Sequence, residues 1–209
     1  MKLVDITEFE SSFAASCFQA MISIQGKLER MQNDEGNIDE QNYVMGLSGC
    51  MGKAIEPNVF LSGGELKKQI SSSNKAVQDL IARLNRESDY NLPNVIVKPD
   101  YVIHYSVKRE NLSSETQKLV IEAKTTNKLA QDPFSWDLYK LMAYVNELSF
   151  QTAVFLILNT DKSRVETLLA GYKEQGLPVI NVPRGHLLFF IQDTIKSIPK
   201  AYYLDCTED

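Results

Sequence analysis

Apolar positions recur at intervals of three and four from Phe9 through Phe13, Cys17, Met21, Ile24, Leu28 and Met31. That period predicts one long amphipathic helix from Thr7 to Met31, and Thr7 followed by Glu10 has the spacing of a capping box at its start. A second helix is expected around Glu40 to Ile55, before Pro57, with Gly46, Gly49 and Gly52 weakening the pattern. The Ser62-Gly63-Gly64 turn opens a third helical region, clearest at Val77, Leu80, Ile81 and Leu84 and ending near Ser88.

From Asn91 onward the period changes to short β-branched and aromatic runs: Val95 to Val97, Tyr101 to Val107 and Leu119 to Ala123. Turn residues Asn111, Ser113 and Ser114 separate the second run from the third, which predicts an antiparallel hairpin. Asp132 is expected to cap a helix with Pro133 at its first position, running to about Leu148. A strand at Thr152 to Leu158, a helix at Ser163 to Gln175, and strands at Val179 to Val182 and Leu187 to Ile191 follow. Helices, then β-β-β-α-β-α-β-β, suit an α/β fold with a mixed sheet flanked by helices. The wholly apolar Thr152 to Leu158 run has the character of a central strand covered on both faces. The expected organisation is an N-terminal helical extension, residues 1–73, packed on a core of residues 74–209.

A chain of 209 residues with 44% apolar and 23% charged residues falls in the range of globular proteins. Its longest apolar stretches are far shorter than the roughly 20 residues that cross a bilayer, and MKLVDITEFE lacks the features of a secretory signal. The expectation is a cytoplasmic protein without membrane partners. Cys17, Cys50 and Cys206 are an odd set without ligand spacing, which predicts reduced thiols and no structural zinc. A net charge of -5 excludes a protein that coats nucleic acid by bulk electrostatics. It leaves room for a local basic cleft, and Lys108, Arg109, Lys118, Lys124, Lys128 and Lys140 fall within 33 residues.

Asp100 follows Pro99 at the start of one strand of the expected hairpin, and Glu122 and Lys124 close the other. Side chains two apart share a strand face, so Glu122 and Lys124 stand side by side while Ala123 points away and leaves its carbonyl free. Two carboxylates and a carbonyl form a hard oxygen site of the kind Mg²⁺ prefers when it also meets phosphate, and the lysine can act on an attacking water.

Pro99-Asp100 followed by Glu122-Ala123-Lys124 resembles the motif of the PD-(D/E)XK nucleases. The resemblance implies the restriction endonuclease-like fold over a core of roughly Asn74 to Asn159. It further implies a Mg²⁺- or Mn²⁺-dependent nuclease, its metal held by Asp100, Glu122 and the Ala123 carbonyl, with Lys124 beside it and DNA as the expected nucleic-acid partner. Family members often add a polar residue from the following helix, where Lys140 and Tyr144 stand one turn apart. Many also use an acid from the helix before the first strand, with Asp79, Glu65 and Glu87 as candidates. The alternative is a nuclease-like domain that binds nucleic acid or a protein partner without cutting. Two cuts on opposite strands suit a homodimer, for which the Thr7 to Met31 helix offers a surface.

Other chemistries find less support. His104 shares a strand face with Asp100 but has the character of a core histidine, and His186 has no evident partner. Gly63-Gly64 and Gly46-Leu47-Ser48-Gly49 lack the context of a phosphate loop. There is no serine nucleophile elbow, and no glycine-rich strand-to-helix turn for an open α/β ligand-binding domain.

Overall fold

The apolar run Thr152–Leu158 forms the middle strand of a seven-stranded mixed sheet, buried along its whole length. The structure, a computed structural model, describes residues 1–33, 38–52, 59–62, 68–69, 74–87, 96–97, 99–105 and 113–206, with backbone alone at 59–62, 68–69, 87 and 96–97. The strands are β1 (Lys2–Asp5), β2 (Val59–Ser62), β3 (Lys68–Gln69), β4 (Ile96–Val97), β5 (Tyr101–Tyr105), β6 (Gln117–Lys124), β7 (Thr152–Leu158), β8 (Leu187–Gln192) and β9 (Lys200–Asp205). Their order in the large sheet is β1-β9-β8-β7-β6-β5-β2, while β3 and β4 pair separately. Only the inner pairs β6/β7 and β7/β8 are parallel; the other pairs are antiparallel.

The two parallel connections cross over through α4 (Gln131–Leu148) and α5 (Lys162–Glu174), which join α3 (Lys75–Glu87) on one face of the sheet. The other face is covered by α1 (Ser12–Ile24), its 3-10 continuation Gln25–Met31, and α2 (Glu40–Met51). Period-two alternation splits the strands between these layers. Ala153, Phe155 and Ile157 face α4 and α5, whereas Val154, Leu156 and Leu158 face α1 and α2. Residues 1–73 thus supply one helical layer and, through β1 and β2, both edges of the large sheet.

The mixed α/β sheet with flanking helices agrees with the sequence reading, and several local expectations change. α1 is capped by Ser11, whose Oγ accepts from the Ala14 amide at 3.3 Å, so Thr7 and Glu10 lie outside the helix. The apolar stripe of α1, with Ala14, Cys17, Ala20, Met21 and Ile24, is buried against the sheet and offers no surface to a second copy. Residues 59–62 form a strand where no element was expected, and residues 68–69 form one within the expected third helical region; Gly63, Gly64 and the Asn111 turn residue lie outside the described residues.

Ala130, not Asp132, is the N-cap of α4, and Pro133 is its third residue, where a missing N–H is still harmless. Asp132 is taken instead by Arg83, whose Nε and Nη2 donate to its carboxylate at 2.7 and 3.2 Å, and by Gln175 at 2.5 Å. Residues 179–182 form no strand, and β1 and β9 appear where none were expected. Among the described residues no helix is long and apolar enough to cross a membrane, and the three cysteines form no disulfide.

Phe190 joins β8 to the N-terminal layer through Phe18 and Phe9, with ring centroids 5.1 and 5.7 Å apart. Phe190→Ala is expected to cost about 3 to 5 kcal/mol in urea unfolding, because a fully buried aromatic is replaced by a cavity.

Candidate functional site

The hairpin of β5 and β6 pairs Tyr101 with Ile121 and Val102 with Val120, in antiparallel register. One step beyond the Tyr101–Ile121 pair, Asp100 and Glu122 come to neighbouring strand ends on the face turned toward α4. Ala123 points to the opposite layer, and its amide donates to Asp100 Oδ2 at 2.7 Å, which ties the two strand ends together. The site lies beyond the carboxyl end of β6, the position where open α/β sheets place their ligands.

α4 brings three more polar groups to the same place. Asp137, Lys140 and Tyr144 follow a three-and-four spacing on one helix face. Lys140 Nζ lies 2.8 Å from Glu122 Oε1 and 2.8 Å from Asp137 Oδ1. Tyr144 Oη donates to the same Glu122 oxygen at 3.1 Å. Lys124 Nζ lies 3.0 Å from Asp137 Oδ2 and donates to Glu40 Oε2 at 3.1 Å. The buried Asp137 Oδ2 is thus engaged by the Lys124 ammonium as an ion pair. The result is a continuous chain of charge from Glu40 through Lys124, Asp137 and Lys140 to Glu122, with Asp100 beside it.

Glu40 reaches the site because α2 is fastened at both ends. Asp39 caps the helix by accepting from the Asn42 amide at 2.8 Å, and the Thr125 hydroxyl, next to Lys124, donates to the Ile38 carbonyl. At the other end Ser48 and Tyr101, next to Asp100, share a hydrogen bond of 3.0 Å. The loop after β6 is held in turn by Asn159, which donates to the Thr125 carbonyl at 3.1 Å, and by Thr160, which donates to the Thr126 carbonyl at 3.0 Å.

Of the sequence candidates, Asp100, Glu122, Ala123, Lys124, Lys140 and Tyr144 therefore meet in one site. Asp79 does not: it forms an exposed pair with Lys75 at 2.6 Å, and the side chains of Glu65 and Glu87 lie outside the described residues. His104 sits further along β5 with Nδ1 3.1 Å from the Tyr105 carbonyl, and His186 contributes its backbone carbonyl to Ala153. Asp137 and Glu40 were missed. Asp137 could have been found from its place three residues before Lys140; nothing local marks Glu40.

Burial sets the electrostatics. The side chains of Glu122 and Asp137 are only 2% and 7% exposed, while Glu40 at the rim is 38% exposed. Burial pushes Glu122 well above the usual carboxylate range, against the pull of Lys140, with Asp100 and Asp137 adding to the rise. Asp100 is raised by burial and by Asp137 despite the Ala123 amide, and Glu40 is raised by burial despite Lys124. For Asp137 burial acts upward too, but Lys124 and Lys140 overcome it and hold the carboxyl below its ordinary value. Burial alone would lower both lysines; the surrounding acids reverse this and raise them. Both ammonium groups are thus charged throughout the physiological range.

Four carboxylates face two ammonium groups, so full ionisation leaves an excess of negative charge in a partly buried site. Protons or a cation can balance it. Among the described residues no three His, Cys, Asp or Glu side chains converge as a ready ligand set. A hard ion here would draw on Asp100, Glu122 and the Ala123 carbonyl, and complete its shell with water and phosphate oxygen, as Mg²⁺ commonly does. The negative excess fits such an ion.

Comparison with protein-family models, curated proteins and solved structures returns no match.

The opposed shifts give a signed pH dependence. Raised carboxyls bind protons in the folded state that the unfolded chain has released, so Glu122, Asp100 and Glu40 withdraw stability as pH rises above their ordinary values. Asp137 contributes stability above its ordinary value and loses it only on stronger acidification. In chelator, thermal unfolding should therefore occur at higher temperature at about pH 5 than at about pH 8, and Glu122→Gln should shrink the difference. A melting temperature that climbs from the lower to the higher pH would contradict this balance.

Proposed function

We propose that this protein is a metal-dependent nuclease of the PD-(D/E)XK type, hydrolysing phosphodiester bonds in DNA. The observation that carries the reading is the meeting of Asp100, Glu122 and Lys124 at neighbouring ends of a hairpin, with a surplus of negative charge. The crossover from β6 through α4 to a parallel β7 supports a restriction endonuclease-like sheet. Glu40 takes the part of the additional helix acid, and Lys140 and Tyr144 that of the polar groups on the following helix.

Asp100, Glu122 and the Ala123 carbonyl would hold Mg²⁺ or Mn²⁺. The ion would polarise the phosphoryl oxygen and lower the pKa of a bound water. Asp100 Oδ2 is fixed by the Ala123 amide, which orients the carboxylate before any ligand arrives. Lys124, kept charged by Asp137 and Glu40, is suited to orient the attacking water and to neutralise charge on the phosphorane, and unsuited to remove a proton.

A second reading, a nuclease-like domain that binds nucleic acid or a protein without cutting, draws support from Lys140, which already neutralises Glu122. Cleavage of plasmid and single-stranded DNA with Mg²⁺ separates the two. Asp100→Asn is expected to keep the fold and abolish cleavage, since ligand charge is lost while shape is kept. Lys124→Ala is expected to slow single-turnover cleavage by about 3 to 4 kcal/mol in barrier, a factor of a few hundred, with little change in DNA affinity. Undiminished turnover in that variant would remove Lys124 from the chemistry, and no cleavage by the unaltered protein on any substrate would favour the non-cutting reading.

A further inference from the structure

Lys140 stands where a cation is wanted. Its ammonium bridges Glu122 Oε1 and Asp137 Oδ1 at 2.8 Å each, and its side chain is 9% exposed. Tyr144 donates to the same Glu122 oxygen, so Oε1 is committed twice while no hydrogen bond or ion pair is described for Oε2. An ion accepted through Oε2 would sit beside the Lys140 ammonium on one carboxylate, and the two positive charges would repel at short range in a medium that screens poorly. The lysine cannot simply swing out to solvent, because α4 is buried from Phe134 to Val145. It can shift toward Asp137, whose Oδ1 it already meets at 2.8 Å.

We infer that Lys140 is a built-in competitor of the divalent ion, neutralising Glu122 until metal binds and then withdrawing toward Asp137. The inference rests on the reading of Asp100 and Glu122 as metal ligands, and it assigns Lys140 a regulatory part in metal loading in place of a direct part in the chemistry. Asp137 is then the retreat that makes the exchange possible without stranding a buried charge. Lys124, on the far side of Asp137 and also bound to Glu40, stays in place.

The test is Mn²⁺ binding near neutral pH, followed by the paramagnetic resonance of the free ion, in the unaltered protein and in Lys140→Met, Lys140→Gln and Tyr144→Phe. Both lysine variants should bind Mn²⁺ more tightly, on the order of ten- to a hundredfold, the usual size of effects from groups around a metal's own ligands. Tyr144→Phe, which removes a neutral donor, should change affinity much less. Because the neutral variants leave buried acids without a counter-charge, thermal unfolding with and without Mn²⁺ supplies a second reading. The rise in melting temperature on adding Mn²⁺ should be larger in both lysine variants than in the unaltered protein. Affinity that is unchanged or weaker in the folded variants, with Mn²⁺ bound normally by the unaltered protein, overturns the competition and leaves the metal site standing. If none of the proteins binds Mn²⁺, the ligand assignment and this inference fall together.

Discussion

The carboxylate of Asp137 lies between two ammonium groups, 2.8 Å from Lys140 and 3.0 Å from Lys124, and the arrangement around it follows from the cost of burying charge. Each ion withdrawn from water carries a penalty of several kcal/mol, and removing one partner of a buried pair typically costs about 3 to 5 kcal/mol. A helix buried all round can carry an aspartate and a lysine toward a sheet only if charges on the sheet answer them. Glu122 and Lys124 do so from β6, and Glu40 adds an answer from the opposite layer. The same contacts that give the site its chemistry therefore fix where α4 and α2 lie against the hairpin.

Neighbouring acids in this site are driven apart in character. Asp137 is held ionised by two lysines, whereas Glu122 is pushed toward its neutral form by deeper isolation and by other acids. Environments that separate like groups in this way assign them different tasks. Asp137 is the acid that the two lysines favour as an anion, and Glu122 the one that burial and its acidic neighbours favour as neutral. Glu40, at the rim, lies between these extremes and couples the site to solvent.

Strand periodicity made the centre of the fold and half of the site legible. Glu122, Ala123 and Lys124 could be assigned to opposite faces from their spacing alone, and a hairpin brought Asp100 to them. Glu40 could not be read this way, because it lies 84 residues from Lys124 and meets it only once α2 has docked on the sheet. Asp137 was obscured by the apolar residues around it, since α4 is buried on every side from Phe134 to Val145. Val179 to Val182 has strand-like composition but is bounded by Pro178 and Pro183, which lack the N–H a ladder needs, and it remains irregular. The edge strand β1 and its neighbour β9 are short and mixed in pattern, so their identity comes from each other: Leu3 pairs with Leu204 and Val4 with Tyr203.

That pairing has a consequence for the order of synthesis. β1, residues 2–5, forms its ladder with β9, residues 200–205. On a ribosome β1 must wait, with its ladder groups in water, until residues 200–205 have emerged. Until then the forming sheet also lacks β9, leaving the edge of β8 open, and such unpaired edges invite association with other chains. Completion of the sheet thus waits on residues 200–205, and a pause in synthesis before them would leave the edge of β8 bare at its most adhesive stage.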